Sequence, residues 1–581
     1  MNVFMNVSIK SMRRRLLWAF LTIIACVIYT ASPLRASDPP ALISQSVPAQ
    51  GIRLEQTETP EVYFSYHGAP LLSFGGMSDF IFYTDQDAFD YKRWADWQAE
   101  HGMNHVRAYP PFSWQYIEYF SRDNGGAKEN LLLPYEETQP GSRQFDLTRF
   151  NQAYWNRFHQ QCEYLQQKGI IIHLLMINGW QMRDDEDSWN WPGHFFNPEN
   201  NINEFTDHLA DNRLDFYKSV ADQKTQLAAA QRAWFEKVVE TTADLDNVYY
   251  DLVHEIAENY DDWPKTQVWI EEMAQAVRSR YAQQQTEEQA NESSRPIILG
   301  MDTGGLEDKQ RDWIFSRPYF DILVYGKVHE IDRAMKWRSR YKKPYIPQET
   351  WDEDGTKYTY REPSHRVHLR KYFWKMMMAR FQQMDLYIKP FDNVERPEFR
   401  HNYNPNGWNP FEDDALVLRQ TWNQLTDYPN LWFQGEVQSG PGDRQNLLSS
   451  EQEGLVYLSS NPSKENVDYD AQSLQLKSLA LQDGTYMADI ISPEEGTLTT
   501  TNVTVERGRT ALDLPAFTDD IAVHIFKDGD AVAQSLESSD SDATEEGEQN
   551  ARTSDGWFYS LLALLLTGLL GIFLVRRVVA R

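Results

Sequence analysis

The chain has 581 residues, of which 41% are hydrophobic, so it can bury a large core and hold more than one domain. Its formal net charge of -29 argues against nucleic acid as a partner, because a phosphate backbone binds surplus Lys and Arg. The ends differ from the body. Residues 1–36 hold five basic and no acidic residues, and residues 576–581 hold three basic and no acidic residues. Basic ends on an acidic body are typical of a protein whose ends face a membrane.

The N-terminal segment predicts an export signal. Three arginines at 13–15 precede an apolar run over residues 16–31, and small residues near 34–36 offer a cleavage site. This order of charge, apolar run and small residues is that of a secretory signal peptide. We therefore expect a signal peptide over residues 1–36.

The C-terminal segment predicts a membrane anchor. Residues 557–575 form a 19-residue apolar run followed by Arg576 and Arg577, long enough for a transmembrane helix with a cytoplasmic tail, 576–581. Residues 528–555 before it hold nine acidic residues, one basic residue and no aromatic residue, which predicts a disordered linker. We expect an exported protein, held at the cell surface or the periplasmic side by this helix. The alternative is a sorting tail that is clipped after export.

Between the ends, short apolar runs alternate with helix-like segments, and runs of this kind are typical of strands buried on both faces. The eight candidate strands are residues 70–75, 103–109, 169–177, 248–255, 296–302, 320–325, 344–349 and 385–391. In one intervening segment, Trp155, Phe158, Cys162 and Leu165 recur at spacings that place them on one helix face. This pattern predicts that Cys162 is a buried core thiol.

Eight β/α units over roughly 320 residues favour a (β/α)8 TIM barrel, in a catalytic domain over residues 37–439. A doubly wound open sheet is the alternative, but no Gly-rich phosphate loop follows the first strand. From 440 to 527, short β-rich runs at 454–458, 485–491, 503–505 and 521–526 are separated by turn residues. They predict a small β-sandwich accessory domain. The fold class is therefore α/β, a TIM barrel with a C-terminal β-sandwich.

In such a barrel, side chains at the carboxyl ends of the strands point into the active site. The polar or aromatic residues at these ends, in chain order, are Arg107, Asn178, His254 with Glu255, Asp302, Tyr325 with His329 soon after, and Glu349 followed by Trp351. All of them except Asp302 are candidate site residues.

Glu255 and Glu349 close the apolar fourth and seventh strands, which face each other across the barrel mouth. Two carboxylates there can flank a glycosidic bond, one protonating the leaving oxygen and the other attacking the sugar carbon. Either Glu alone could be a helix N-terminal acid or a solvated loop charge. The pair, with Arg107 on the second strand, favours catalysis. Glu258 competes with Glu255, but it lies three residues further into the loop.

Aromatic residues make up 13% of the chain, with 19 Trp, and flat aromatic faces suit sugar rings as well as protein cores. Trp180, Trp189, Trp191 and Trp351 either stack on sugars or pack in loops, and His329 either lines the site or caps the next helix. His173 lies inside the third strand and is expected to be a core histidine. We expect no metal or cofactor, because no His, Cys or Asp cluster has metal-ligand spacing. The sequence makes no prediction of oligomeric state.

With these residues, the chain over residues 60–395 resembles the clan of retaining glycoside hydrolases that have (β/α)8 barrels and catalytic Glu on strands four and seven, the cellulase-like families. The resemblance implies that Glu255 is the acid/base and Glu349 the nucleophile. It also implies a site role for Arg107 and contact of Tyr325, or a residue near it, with the nucleophile.

One residue departs from the clan. Members usually have Asn before the acid/base, where its amide binds the sugar 2-hydroxyl, and this chain has His254 instead. An imidazole can still donate a hydrogen bond, with different geometry and charge.

The expected function is that of an exported, membrane-tethered glycoside hydrolase. It would cleave O-glycosidic bonds of a poly- or oligosaccharide by a retaining double displacement. The expected substrate-binding residues are Arg107, His254, Tyr325, Trp180, Trp351, Asn178 and His329. The alternative is a catalytically inactive carbohydrate-binding or adhesion protein on the same barrel, which His254 keeps open.

Overall fold

The computed structural model describes residues 51–56, 62–77, 79–82, 90–123, 131–183, 190–256, 260–285, 295–325, 331–347, 366–386, 411–461 and 464–527. The predicted signal peptide, acidic linker and C-terminal apolar segment lie outside this part of the chain. So do five of the residues named above, Trp189, Glu258, His329, Glu349 and Trp351. Among the helices within the described ranges, none combines the length and the hydropathy that a membrane span requires.

The described chain begins with a small antiparallel sheet that the sequence did not reveal. Its strands are β1 (Ile52–Gln56), β2 (Val62–Tyr66) and β3 (Ala69–Pro70), in that order. The Ile52 N–H donates to the carbonyl of Asp246 at 2.8 Å, just before the predicted fourth strand. The sheet therefore lies at the amino ends of the strands that follow.

Each of the eight candidate strands is confirmed by a strand in the structure. They are β4 (Ser73–Met77), β5 (His105–Ala108), β8 (Ile171–Leu175), β9 (Val248–Asp251), β10 (Leu299–Gly300), β11 (Leu323–Tyr325), β12 (Tyr345–Pro347) and β13 (Gln383–Leu386). A separate antiparallel hairpin, β6 (Tyr135–Glu137) and β7 (Phe145–Phe150), lies between the second and third of them.

The parallel strands follow the order expected of a barrel. Six form one sheet in the order β13-β4-β5-β8-β9-β10, and β11 pairs with β12. A parallel bridge between Asp302 and Val324 links the end of the fifth strand to the sixth. Neighbours in the sheet are neighbours in the chain, and the eighth strand lies beside the first, as barrel closure requires and a doubly wound sheet does not.

Helices alternate with these strands. They are α1 (Tyr91–Glu100), α2 (Trp114–Asp123), α3 (Gln152–Gln167), α4 (Thr225–Thr242), α5 (Trp263–Gln284), α6 (Asp308–Phe315), α7 (Ile331–Tyr341), α8 (Arg366–Met378) and α9 (Phe411–Gln424). Short 3-10 turns cover Asp79–Phe82, Gly179–Met182, Trp191–Gly193, Pro198–Asn200, Glu204–Ala210 and Arg213–Lys218. The predicted face of α3 is confirmed, since its four apolar residues are fully buried, and burial raises the pKa of Cys162 well above its usual range.

Alternation along the strands separates two cores. In β8, Ile172 and Leu174 join the large core under the helices, whereas Ile171 faces the other way. The inward cluster draws on strands three to seven and on the N-terminal sheet, and its buried members are Ile52, Phe64, Leu71, Ile171, Tyr249, Ile298, Ile322, Val324 and Ile346. Because one cluster joins side chains from these strands, they curve around a common interior whose lower end the N-terminal sheet fills.

The C-terminal region is all β. Its strands are β14 (Glu436–Ser439), β15 (Arg444–Ser449), β16 (Glu453–Ser459), β17 (Asp468–Tyr469), β18 (Gln472–Lys477), β19 (Gly484–Ser492), β20 (Gly496–Val505), β21 (Thr510–Leu514), β22 (Phe517–Thr518) and β23 (Asp520–Phe526). They form a five-stranded sheet, β15-β16-β23-β19-β20, a three-stranded sheet, β14-β18-β21, and the pair β17-β22. The four predicted β-rich runs are all confirmed as strands.

One apolar cluster joins the two larger sheets. It contains Val456 and Val523 from the five-stranded sheet with Leu474 and Leu512 from the three-stranded sheet. The first strand of the small sheet, β14, begins before residue 440, the predicted domain boundary. The domain boundaries and the closed sandwich stay predictions.

Candidate active site

Glu255 lies four residues beyond the end of β9, at the carboxyl edge of the parallel sheet. Its side chain is 34% exposed, and its backbone has a φ of 49°, in the left-handed region. That conformation costs an L-residue roughly 1–2 kcal/mol and persists only where neighbouring groups hold it. Here the Glu255 N–H donates to Asp302 Oδ2 at 2.9 Å, which ties the end of strand four to strand five.

The end of the third strand fixes the other side of this turn. Asn178 and His254 form a parallel bridge, and the Gly179 N–H donates to the His254 carbonyl at 2.7 Å. A Cβ at Gly179 would lie 2.6 Å from the His254 carbonyl oxygen and 2.8 Å from that of Glu255. A side chain at 179 would therefore displace the Glu255 turn, and glycine is required.

Trp180 and Arg183 lie next to Glu255. The Asn178 Oδ1 accepts a hydrogen bond from the Trp180 N–H at 3.0 Å, which fixes the start of the turn. The Arg183 guanidinium lies 5.7 Å from the centre of the half-buried Trp180 ring and 3.6 Å from Glu255 Oε2. The structure thus brings the predicted Asn178, Trp180 and Glu255 together. Arg183 was missed, because nothing in its local sequence distinguishes it from a surface arginine.

His254 forms a buried ion pair with Asp302, its Nδ1 lying 3.0 Å from Asp302 Oδ2. Burial would lower the pKa of His254, but the Asp302 contact and the charge of Glu255 outweigh it and raise that pKa. Burial would likewise raise the pKa of Asp302, but His254 and the N–H groups of Gly304 and Glu255 hold it below its usual value. The sequence placed Asp302 at a strand end without giving it a role.

Asp251 lies beneath this pair, and its pKa is shifted in the opposite direction to that of Asp302. Its Oδ1 accepts a hydrogen bond from the Asp302 N–H at 2.9 Å. Burial and the charge of Asp302 raise the pKa of Asp251 well above its usual range, and Arg107 only partly opposes them. The pKa of Asp251 therefore lies above that of Asp302, a separation that environment alone produces. Arg107, fully buried inside β5, lies close enough for its charge to act on both Asp251 and His254.

His173, deeper in the barrel, is the core histidine that the sequence predicted. Its ring stacks on Tyr249 with centroids 4.6 Å apart, and its Nδ1 lies 3.2 Å from the Gln383 amide nitrogen. Burial, with the neighbouring His105 and Arg107, holds its pKa well below the usual value, so the ring is neutral. Polar side chains thus fill the upper interior of the barrel and apolar ones the lower interior.

Tyr325 is placed differently from the other predicted residues. Its ring lies 5.5 Å from the ring of Trp337 and 4.3 Å from the Arg311 guanidinium, both on helices. The preceding residue, Val324, points into the inward cluster instead. These contacts place the Tyr325 ring on the helix side of its strand, and its contact with Glu349 stays a prediction.

Trp191 packs within its own loop. It is 8% exposed, its ring lies 5.1 Å from that of His194, and its carbonyl accepts a hydrogen bond from the Asn197 amide. The amides of Asn200 and Asn201 also donate to backbone carbonyls of this loop. For Trp191, packing is the alternative that the structure supports.

The roles predicted for Glu349, Trp351, His329 and Trp189 stay predictions. In the part of the chain that the structure describes, no group of three or more His, Cys, Asp or Glu side chains is arranged to hold a metal ion.

No protein-family model matches the chain, and no curated protein matches its sequence. Among solved structures, a candidate glycoside hydrolase from Bacteroides vulgatus matches with a TM-score of 0.53 and 10% identity, covering 83% of both chains. The chain has a glycoside hydrolase fold. At 10% identity the match shows the fold alone. The predicted resemblance to barrel glycoside hydrolases is therefore confirmed for the fold.

The other solved structures that match include a family 5 glycoside hydrolase from Bacteroides vulgatus and a family 30 subfamily 8 xylanase from Clostridium acetobutylicum. The first has a TM-score of 0.49 and 12% identity, and covers 82% of this chain and 93% of its own. The second has a TM-score of 0.45 and 11% identity, and covers 79% of this chain and 96% of its own.

Proposed function

We propose that this protein is a glycoside hydrolase that cleaves O-glycosidic bonds of a poly- or oligosaccharide with retention of configuration. The observation that carries the proposal is the setting of Glu255. A partly exposed carboxylate lies at the carboxyl edge of the parallel sheet, on a strained backbone that Asp302 and Gly179 hold in place. Strain of this kind, over-determined by its neighbours, is concentrated at functional sites.

In the proposed reaction, Glu349 attacks the anomeric carbon while Glu255 gives its proton to the leaving oxygen, and the glycosidic bond breaks as the glycosyl-enzyme bond forms. Water then attacks the same carbon. Glu255, now ionised, takes its proton, and the sugar leaves with its original configuration. Two inversions at one carbon give net retention.

The surrounding residues have supporting roles in the proposal. Trp180 offers a half-buried aromatic face beside Glu255 for a sugar ring, with Trp351 as a second platform. Asn178 holds the Trp180 turn. His254 and Arg107 provide positive charge beneath the sugar. Of the other predicted substrate-binding residues, His329 stays a prediction, and the Tyr325 ring lies on the helix side of its strand.

The test is a screen of the purified full chain against plant and algal polysaccharides, with Glu349→Ala and Glu255→Ala beside it. We expect Glu349→Ala to lower kcat by about 10⁴-fold or more, because it removes the group that forms the covalent bond. On an aryl glycoside whose leaving group needs no protonation, azide should restore turnover to Glu255→Ala by replacing the attacking water and give a glycosyl azide of retained configuration, whereas any azide product of Glu349→Ala should have the inverted configuration.

Glu163→Ala, an exposed change on helix α3, is the matched control and should retain full activity. Hydrolysis at the wild-type rate by both active-site variants would contradict the assignment. Wild-type binding of a polysaccharide without cleavage would show instead an inactive carbohydrate-binding protein.

We also propose that the body is exported and held at a membrane. The support is the sequence of residues 1–36 and 557–575. Removing residues 557–581 should move the protein from the membrane fraction to the soluble exported fraction. An unchanged distribution would overturn the anchor.

A further inference from the structure

We propose that Asp302 is a positioning residue of this site, which fixes the Glu255 backbone and orients the His254 ring toward the substrate. The inference rests on the proposed function, because it assigns to Glu255 and His254 the places of acid/base and sugar-hydroxyl donor. Asp302, His254 and Glu255 all follow the ends of the fourth and fifth strands.

Both carboxylate oxygens of Asp302 are engaged. Oδ1 accepts from the Gly304 N–H at 2.7 Å, and Oδ2 accepts from the Glu255 N–H at 2.9 Å and lies 3.0 Å from His254 Nδ1. The backbone N–H of Asp302 is held too, by Asp251 Oδ1 at 2.9 Å. With 1% of its surface exposed, Asp302 is a rigid, ionised anchor that joins the ends of strands four and five.

The first consequence is geometric. A glutamate with φ of 49° needs an acceptor for an N–H that points away from the normal strand direction, and Asp302 Oδ2 supplies it. The carbonyl of Glu255 on the other side is confined by its approach to Gly179. Together these contacts decide where the Glu255 carboxyl lies relative to a bound glycosidic oxygen.

The second consequence concerns His254. Its contact with Asp302 is mainly ionic, because no acceptor among the described residues lies along the Nδ1–H direction. Holding Nδ1 toward Asp302 leaves Nε2 on the far side of the ring. The Asp302 contact and the charge of Glu255 raise the pKa of His254 despite burial, which favours the imidazolium, the form in which Nε2 also carries a proton. The charged or titratable groups whose fields act on this ring are Asp302, Glu255, Arg107, Asp251 and His173.

The site therefore offers a cationic N–H donor, His254, where the clan that this chain resembles has the neutral amide of an Asn. A charged donor makes a stronger hydrogen bond to a hydroxyl or an anionic oxygen. It is lost when the imidazolium deprotonates, which an amide never does. Activity should consequently fall as the pH rises through the pKa of His254.

The experiment compares wild type, Asp302→Asn, His254→Asn and the double variant, all as the full chain. In Asp302→Asn we expect kcat to fall about 10- to 100-fold with little change in KM, because the loss is one of alignment. Without the Asp302 charge, the pKa of His254 falls, so the basic limb of the kcat/KM profile moves to lower pH. A histidine ¹³Cε1 NMR titration, assigned from the His254→Asn difference spectrum, measures that pKa directly.

Asp321→Asn is the matched control. Asp321 Oδ2 accepts from the Leu299 N–H at 2.9 Å and pairs with Arg278, so it also joins two strand segments, at the opposite end of β10. It should cost stability and leave both the His254 titration and the basic limb unchanged. His254→Asn alone should remove the His254 contribution and leave only the basic limb that the general acid Glu255 sets, and Asp302→Asn should produce no further His254-dependent shift in that background.

An unchanged His254 titration in Asp302→Asn, with activity lower by the same factor at every pH, would overturn the proposal. If Asp302→Asn does not fold, His254→Asn decides, and a pH profile of kcat/KM identical to that of the wild type overturns the proposal. A wild-type protein that cleaves no carbohydrate would refute the proposed function, and the NMR titration would still decide whether Asp302 controls His254.

Discussion

Two buried charge clusters, one at the barrel mouth and one where the barrel meets the C-terminal sheet, use similar residues in different ways. At the joint, Arg370 of helix α8 places its Nη2 2.8 Å from Asp520, and Arg366 makes two parallel bonds of 2.9 Å to Asp414. At the mouth, one carboxylate, Asp302, is shared between an imidazole and two backbone N–H groups. The joint matches charges in planar pairs, whereas the mouth spreads one charge over several partners.

The backbone shows the same contrast. The arginines of the joint project from a regular helix, and Trp374 on that helix stacks on Tyr457 with centroids 5.3 Å apart. The mouth holds Glu255 in a left-handed conformation. Even at the joint, burial raises the pKa of Asp414 to about 6 against the pull of its arginines. Paired charges on regular elements serve attachment, and a strained residue beside an ionised anchor serves chemistry.

Gly179→Ala should have the largest effect of the changes that test this comparison. Its Cβ would overlap the His254 and Glu255 carbonyls, so the turn must shift, and a misplacement of about 1 Å can cost 100-fold in rate. We expect kcat to fall about 100-fold, measured on the substrate found in the screen. The control is Gly454→Ala in β16, where a Cβ would meet only ordinary contacts at 3.5 Å or more. Wild-type kcat in Gly179→Ala would show that the turn does not position the acid/base.

Arg370→Met should do the reverse, lowering stability and sparing the reaction. It leaves Asp520 buried without its cation, and breaking a buried pair in this way costs about 3–5 kcal/mol. Urea unfolding should report that loss, while kcat at low temperature stays near the wild-type value. Arg340→Met, which removes an ion pair from an arginine 63% exposed, should cost no more than about 1 kcal/mol. Equal losses in the two variants would remove the distinction between joint and surface.

The sequence predicted the features that depend on local pattern. All eight barrel strands and the buried face of α3 follow from apolar runs and helical spacing, which neighbouring residues determine. The Asp302–Glu255 bond joins residues 47 positions apart, and no periodicity encodes it. The N-terminal sheet was missed because its strands, such as Ile52–Gln56 with the sequence IRLEQ, are not the continuous apolar runs that mark the barrel strands. In the sequence, Trp180 and Trp191 are both tryptophans of one aromatic loop, and only the packing shows that the Trp180 ring is half-buried and the Trp191 ring buried.

Arg183→Gln should have the smallest effect and marks the outer limit of the mouth. Arg183 is 30% exposed and lies 3.6 Å from Glu255 Oε2, a contact that solvent screens, so it contributes about 0–1 kcal/mol. We expect kcat to change less than about fivefold, with the change decreasing further at high salt, since salt screens partly exposed charges. Arg232 on helix α4 forms a similarly exposed pair with Glu272 on helix α5, and Arg232→Gln should leave kcat unchanged. A loss as large as that of Gly179→Ala would mean that Arg183 acts on Glu255 as a member of the anchored cluster and not as a solvent-screened surface charge.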